Sequence, residues 1–248
     1  MKNIFLEIEY EGTNYFGFQI QNKKQKQEQT VQAVLEKALE RLFNQSLRLT
    51  YTGRTDRGVH ACAQGANFKV DTRIPLKNIK EALNSFLPSD VRVKKVKRVP
   101  LDFHCRFWAK SKVYRYIISL KKEVPVFERN FCWHIPQSLN LEKMREVSQK
   151  IVGKRDYSLF AKEVKRYKDC VRQIKSIIFR KRESFLYIDI EADGFLRGMA
   201  RNIVSFLVRV GEGKLSLEQA SSILQYKAPY SKRSAPACGL YLFKVKYR

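Results

Sequence analysis

Residues 4–10, Ile4-Phe5-Leu6-Glu7-Ile8-Glu9-Tyr10, alternate near a period of two and predict a strand. A polar segment, Gln21-Asn22-Lys23-Lys24-Gln25-Lys26-Gln27, follows and reads as a loop. From residue 31 the period changes. Val31, Val34, Leu35, Ala38, Leu39 and Leu42 make an i, i+3, i+4 stripe, the mark of an amphipathic helix, with Thr30 as its N-cap. Strands are predicted over 47–52 and 62–70, a second helix over 76–86 and a strand over 91–99. The order β-α-β-β-α-β is that of a ferredoxin-like, split βαβ unit, with both helices on one face of a sheet that contains antiparallel strands. It then recurs loosely. A strand over 112–120, a helix over 141–151, strands over 171–181 and 185–191, helices over 195–210 and 217–225 and a last strand over 240–247 complete the chain. The expected class is α+β, in two halves, 1–107 and 108–248, each with a mixed, largely antiparallel sheet.

Charge narrows the partner. The chain has 248 residues, 44% hydrophobic and 12% aromatic, enough for a real core. Lys plus Arg number 49 against 24 for Asp plus Glu, a formal net charge of +25. Such an excess predicts a polyanionic partner, nucleic acid before an anionic membrane. No apolar run approaches the length of a spanning helix, and the first residues enter a strand without a signal-peptide pattern. Cysteines 62, 105, 132, 170 and 238 are scattered and never in a CxxC pair, which points to free thiols in a reducing compartment. The three histidines do not pair with cysteines or carboxylates at metal-ligand spacing. The expectation is a cytoplasmic, metal-independent protein that binds nucleic acid.

The chemistry concentrates in three places. Gly53-Arg54-Thr55-Asp56-Arg57-Gly58-Val59-His60 sets one carboxylate, Asp56, between two arginines and two glycines at a strand end. Glycine allows a tight turn and close approach of a ligand. Cations nearby favour an ionised carboxylate even in a partly dry pocket. An isolated Arg-Thr-Asp would be read as a charged surface turn, since such pairs are common and weak. The second place is Lys112-Val113-Tyr114-Arg115-Tyr116-Ile117-Ile118, where strand alternation puts Tyr114 and Tyr116 on one face and Arg115 on the other. A tyrosine beside a carboxylate can stack on a base and offer its hydroxyl. The third is Phe195-Leu196-Arg197-Gly198-Met199-Ala200-Arg201-Asn202, read as a mostly buried helix with Arg197 and Arg201 four apart on one face. Buried arginine calls for an acid, and Asp56 is the candidate.

Basic segments at 23–26, 110–112, 162–168 and 172–175, including Lys165 and Arg166, are the expected phosphate contacts. Tyr15, Phe16, Phe18, Phe107 and Trp108 lie near such segments, as core or as stacking residues.

In this order the features resemble the tRNA pseudouridine synthase A family, over nearly the whole chain. The family pattern Y-[DE]-G-x-x-[YF]-x-G-[WF]-Q-x-Q appears as Tyr10 to Gln21, and GRTD-x-GVHA-x-x-Q as Gly53 to Gln64. Phe103-His104-Cys105-Arg106-Phe107 matches F-H-[AC]-R-F. The Y-x-Y-x-I strand, the M-x-RN-[IL] helix and Gly239-Leu240-Tyr241-Leu242 follow. Ile20 stands where the family commonly has arginine, and Ser205 where glycine is frequent.

The resemblance implies a pseudouridine synthase fold with a central RNA-binding cleft, in a homodimer that needs no cofactor and no metal. It implies an isomerase that converts uridine to pseudouridine at positions 38, 39 and 40 in the anticodon stem-loop of tRNA. In this picture Asp56 is the essential carboxylate, attacking C1′ or C6 or removing the 2′ proton. Tyr114 stacks on the extruded base. Arg54 and Arg201 orient and ionise Asp56, while Arg57, His60, Arg106, Arg197, Lys165 and Arg166 contact the RNA. Two other readings remain. A nuclease would bring two or three carboxylates together around metals, and an RRM-type binder would carry an aromatic RNP1 strand with glycines that residues 112–118 lack.

Overall fold

The computed structural model describes residues 1–21, 29–123, 126–226 and 233–247. Most of the 21–29 loop and the basic segment 23–26 therefore lie outside the described residues. The chain forms two compact units, Met1–Lys110 with Tyr241–Arg248, and Ser111–Leu240. The sequence division falls after residue 107 and assigns the last strand to the second half. In the structure that strand belongs to the first unit.

The first unit runs β1 (Lys2–Tyr10), α1 (Val31–Phe43), β2 (Thr50–Tyr51), β3 (His60–Val70), α2 (Leu76–Phe86) and β4 (Val91–Val99). β1 is central, antiparallel to β3 on one side and to β4 on the other, and β2 pairs antiparallel with β3. The resulting order β4-β1-β3-β2 is that of a split βαβ unit. Ile4, Leu6 and Ile8 of β1 are fully buried, as are Leu39 of α1 and Ile79 and Leu83 of α2. Each such side chain contributes about 1.5–3 kcal/mol relative to exposure. On the opposite side of β1, Phe5 packs with Phe103, Cys105, Trp108 and Tyr247. The buried Asn3 amide donates to the carbonyls of Pro100 and Phe103, and Asn67 donates to Asn3 Oδ1 at 3.0 Å, so these buried polar groups are satisfied. Thr30 caps α1 as expected, its hydroxyl accepting the Ala33 N–H.

The second unit holds β5 (Ala109–Ser119, from Ser111), β6 (Trp133–His134), α3 (Leu141–Ile151), β7 (Gly153–Asp156), β8 (Val171–Arg182), β9 (Phe185–Ala192), α4 (Met199–Gly211) and α5 (Leu217–Tyr226). Its strands are ordered β5-β9-β8-β7, all antiparallel, with β6 parallel to β5. The last strand, β10 (Leu240–Tyr247), lies parallel to β3, Tyr241 opposite His60 and Leu242 opposite Ala61. The sheets are thus mixed and largely antiparallel. α3 packs against α4 and α5, and α4 is buried over almost its whole length.

One sequence expectation changes here. The helix read over 195–210 begins only at Met199. Gly198 precedes it at φ 73, a left-handed residue that ends the preceding turn. Arg197 therefore stands outside the helix, and the predicted arginine stripe on one helix face does not exist.

Candidate active site

Asp56 sits in the loop between β2 and β3, partly buried, while its neighbour Thr55 points inward and is 7% exposed. The loop rests on the segment that follows β1. Tyr10 and Thr55 share a hydroxyl hydrogen bond of 2.8 Å, and Phe18 N–H donates to the Thr55 carbonyl at 3.3 Å. Gly58 N–H donates to the Tyr15 carbonyl, and Gly12 N–H to Nδ1 of His60 at 3.0 Å. From β3, the Gln64 amide donates to the Gly53 carbonyl at 2.8 Å. The approach is so close that a Cβ on Gly12 would stand 2.0 Å from the Val59 carbonyl oxygen. The 10–21 and 53–64 motifs are thus two halves of one clasp. Buried Thr55 anchors it, and its chain neighbour Asp56 keeps a partly open position.

Two arginines flank Asp56 in the chain. Arg57 lies over the Phe16 ring at 4.1 Å, a cation–π contact, and Arg54 is exposed. His60, expected to touch RNA, is 1% exposed and its ring stacks on Tyr241 at 4.7 Å. It supports the loop from below and presents no surface. Arg106 is exposed beside Phe107, itself 73% exposed, whereas Tyr15 and Phe18 are core residues and Trp108 packs on Phe103.

In the second unit, β5 presents its residues as the alternation predicts. Tyr114 pairs opposite Ile190 in β9 and meets the edge of Phe195 at 4.7 Å. Tyr116 is fully buried, its hydroxyl donating to the Pro236 carbonyl at 2.8 Å. Arg115 makes a two-point bond to Asp189, at 2.7 and 2.8 Å, and Arg180 joins the same carboxylate. Burial alone would raise the pKa of Asp189. The hydrogen bonds and charges of Arg115 and Arg180 outweigh it and hold the group below its ordinary value.

Arg201, in the first turn of α4, donates through Nε to the Ala235 carbonyl at 2.6 Å. The next residue, Asn202, is tied to the Phe160 carbonyl and receives a bond from Ser234. Within the second unit, Arg197 bonds to Glu163. Lys165 and Arg166 are exposed on the short 3-10 turn Val164–Arg166. Phe195, Tyr241, Asp189 and Glu163 were not foreseen as site or support residues. Phe195 and Tyr241 stand inside quoted motifs, and Glu163 is a lone acid in the basic run 162–168, whereas Asp189 carried no such signal.

Among the described residues, no three or more His, Cys, Asp or Glu side chains group as a metal site would need. No described helix is long and apolar enough to cross a membrane. A split βαβ frame that props one carboxylate loop on a glycine-rich segment, in a chain of net charge +25, fits a protein that acts on a nucleic acid. Comparison with known proteins sharpens this. The profile of a family described as tRNA pseudouridine synthase matches residues 7–108 and 147–248, and the chain belongs to that family. A tRNA pseudouridine synthase A of Thermoanaerobacter sp. (strain X514) is 41% identical over 248 residues, covering 100% of both chains. Proteins of the same name from Caldicellulosiruptor bescii and Thermosipho melanesiensis are 37% and 40% identical, again over the full length of each. The chain is therefore an isomerase, a pseudouridine synthase that acts on tRNA.

Proposed function

We propose that this enzyme forms pseudouridine at positions 38, 39 and 40 of the tRNA anticodon stem-loop, with Asp56 as its essential carboxylate. The reaction breaks the N1–C1′ bond, turns the uracil and joins C5 to C1′. C5 loses a proton and N1 regains one, so no electrons are exchanged. The target must first leave the base stack. Tyr114 receives it, stacks on it and takes part in proton transfer at C5. Arg54 and Arg201 orient the carboxylate, and Arg57, Arg106, Arg197, Lys165 and Arg166 hold the RNA. The first unit supplies the carboxylate and the second the tyrosine and the α4 arginine, in a cytoplasmic homodimer.

The observation that carries this reading is the clasp. Thr55 is locked by Tyr10 and Phe18, and the loop behind it by Gly12 on His60. Such bonds hold the neighbouring Asp56 in a fixed place, as positioned catalytic groups require.

Asp56→Asn keeps the side chain's shape and removes its nucleophilic or basic oxygen. It should bind tRNA within a few-fold of wild type and make no product. Pseudouridine mapping in treated tRNA, with single-turnover rates, checks both the positions and the residue. A rate above about a hundredth of wild type sinks the role of Asp56, because losing an essential group typically costs more. Modification confined to another part of the tRNA sinks the anticodon assignment.

A further inference from the structure

Glu163 is the only acid in the basic run from Lys162 to Lys168. It adopts a left-handed backbone, φ 54 and ψ 46, which is disfavoured for a residue with a Cβ. In that conformation its carboxylate bridges two cations. Arg166 Nη1 lies 2.9 Å from Oε2, and Arg197 Nη1 bonds to Oε1. Arg197 is pinned twice more by the same loop. Its N–H donates to the Tyr167 hydroxyl at 2.9 Å, and its carbonyl accepts from Lys162 N–H at 2.8 Å. The next residue, Gly198, lets the two segments close up, since a Cβ there would meet Lys162 carbons at 3.0 to 3.2 Å. Despite these ties the side chains of Arg166 and Arg197 remain 71% and 50% exposed. An ordinary surface ion pair does not require a strained backbone and three anchors on one arginine. Left alone, two guanidinium groups would repel and separate.

We propose that Glu163 is a positioning residue for substrate binding: it locks Arg166 and Arg197 into one fixed pair that grips neighbouring phosphates of the tRNA backbone. This rests on the tRNA-modifying function given above. Guanidinium forks match phosphate oxygens well when their geometry is set beforehand. Simple charge counting makes the opposite forecast. Removing an acid from a surface that faces RNA should strengthen binding and steepen its salt dependence. The sign of the effect therefore decides.

The test is Glu163→Gln, assayed beside wild type for tRNA binding at several salt concentrations and for pseudouridine formation. Positioning predicts that Kd and KM rise about three- to tenfold while kcat stays within about twofold. The log–log salt slope should become shallower by about one to two phosphates. Glu163→Asp, which keeps the charge, should recover part of the loss. In the Arg166→Ala, Arg197→Ala background, Glu163→Gln should have no further effect, because the acid acts only through those arginines. Unchanged or tighter binding by Glu163→Gln, with wild type active, overturns the proposal. So does an undiminished loss in the arginine-free background, which would assign Glu163 to loop folding alone. Failure of wild type itself to bind tRNA or convert uridine would instead overturn the function on which the proposal stands.

Discussion

At the scale of single residues, Tyr114 separates two kinds of chemistry. Its ring is 7% exposed and braced by the edge of Phe195. A platform alone needs only the ring, so Tyr114→Phe would then keep most activity. A hydroxyl that moves the C5 proton makes the phenylalanine form slow by about a hundredfold or more, in line with general acid–base contributions. We expect the slow form, since some group must take that proton. Tyr114→Ala should lose at least about tenfold more from stacking, worth about 1–3 kcal/mol per base. Single-turnover tritium release from C5-labelled tRNA reads both, and full activity in Tyr114→Phe discards the proton role. The loop that carries Asp56 and the strand that carries Tyr114 were legible in sequence because their motifs are contiguous. The burial of His60 was not. It depends on Gly12 and Tyr241, which are 48 residues before it and on the last strand. Nor was the Glu163–Arg197 bond, which spans 34 residues.

At the scale of elements, periodicity places α2, β4, α3 and β10 at the bounds the structure shows. It misplaces the start of α4. Phe195 and Leu196 continue the apolar period, but the left-handed Gly198 breaks the backbone before Met199. It misses β6 and β7, which at two and four residues are too short to show a period. The β5–β9 pairing carries its own prediction. Asp189 is nearly buried and holds Arg115 across the ladder. Its arginine partners are partly exposed, so losing this charged hydrogen-bond acceptor should cost about 1–3 kcal/mol in Asp189→Asn near neutral pH. The folded-state pKa is depressed. The carboxylate's contribution is thus complete above the ordinary carboxylate value, about pH 4, and disappears as pH falls through the depressed value. Urea unfolding of both forms from pH 7 to pH 3 should show a constant gap down to about pH 4 and a narrowing of about 1 kcal/mol below it. A gap independent of pH would mean that the lost stability is packing rather than charge.

At the scale of the molecule, the +25 charge is a statement about how tRNA is held. If about six phosphates are neutralised, affinity should fall roughly a thousandfold between 50 and 200 mM salt. Titrating labelled tRNA across that range checks it, and a flat response would remove the electrostatic footprint from the account. The position of β10 has a consequence for time. Tyr241 under His60 and Tyr247 against Thr52 come from the end of the sequence, yet both belong to the unit that carries Asp56. Long-range pairings of this kind form late, because the intervening chain must be ordered or looped first. During synthesis, His60 lacks the Tyr241 ring beneath it until β10 has emerged from the ribosome. A chain shortened before Leu240 should therefore hold the Asp56 loop less firmly than one that carries β10.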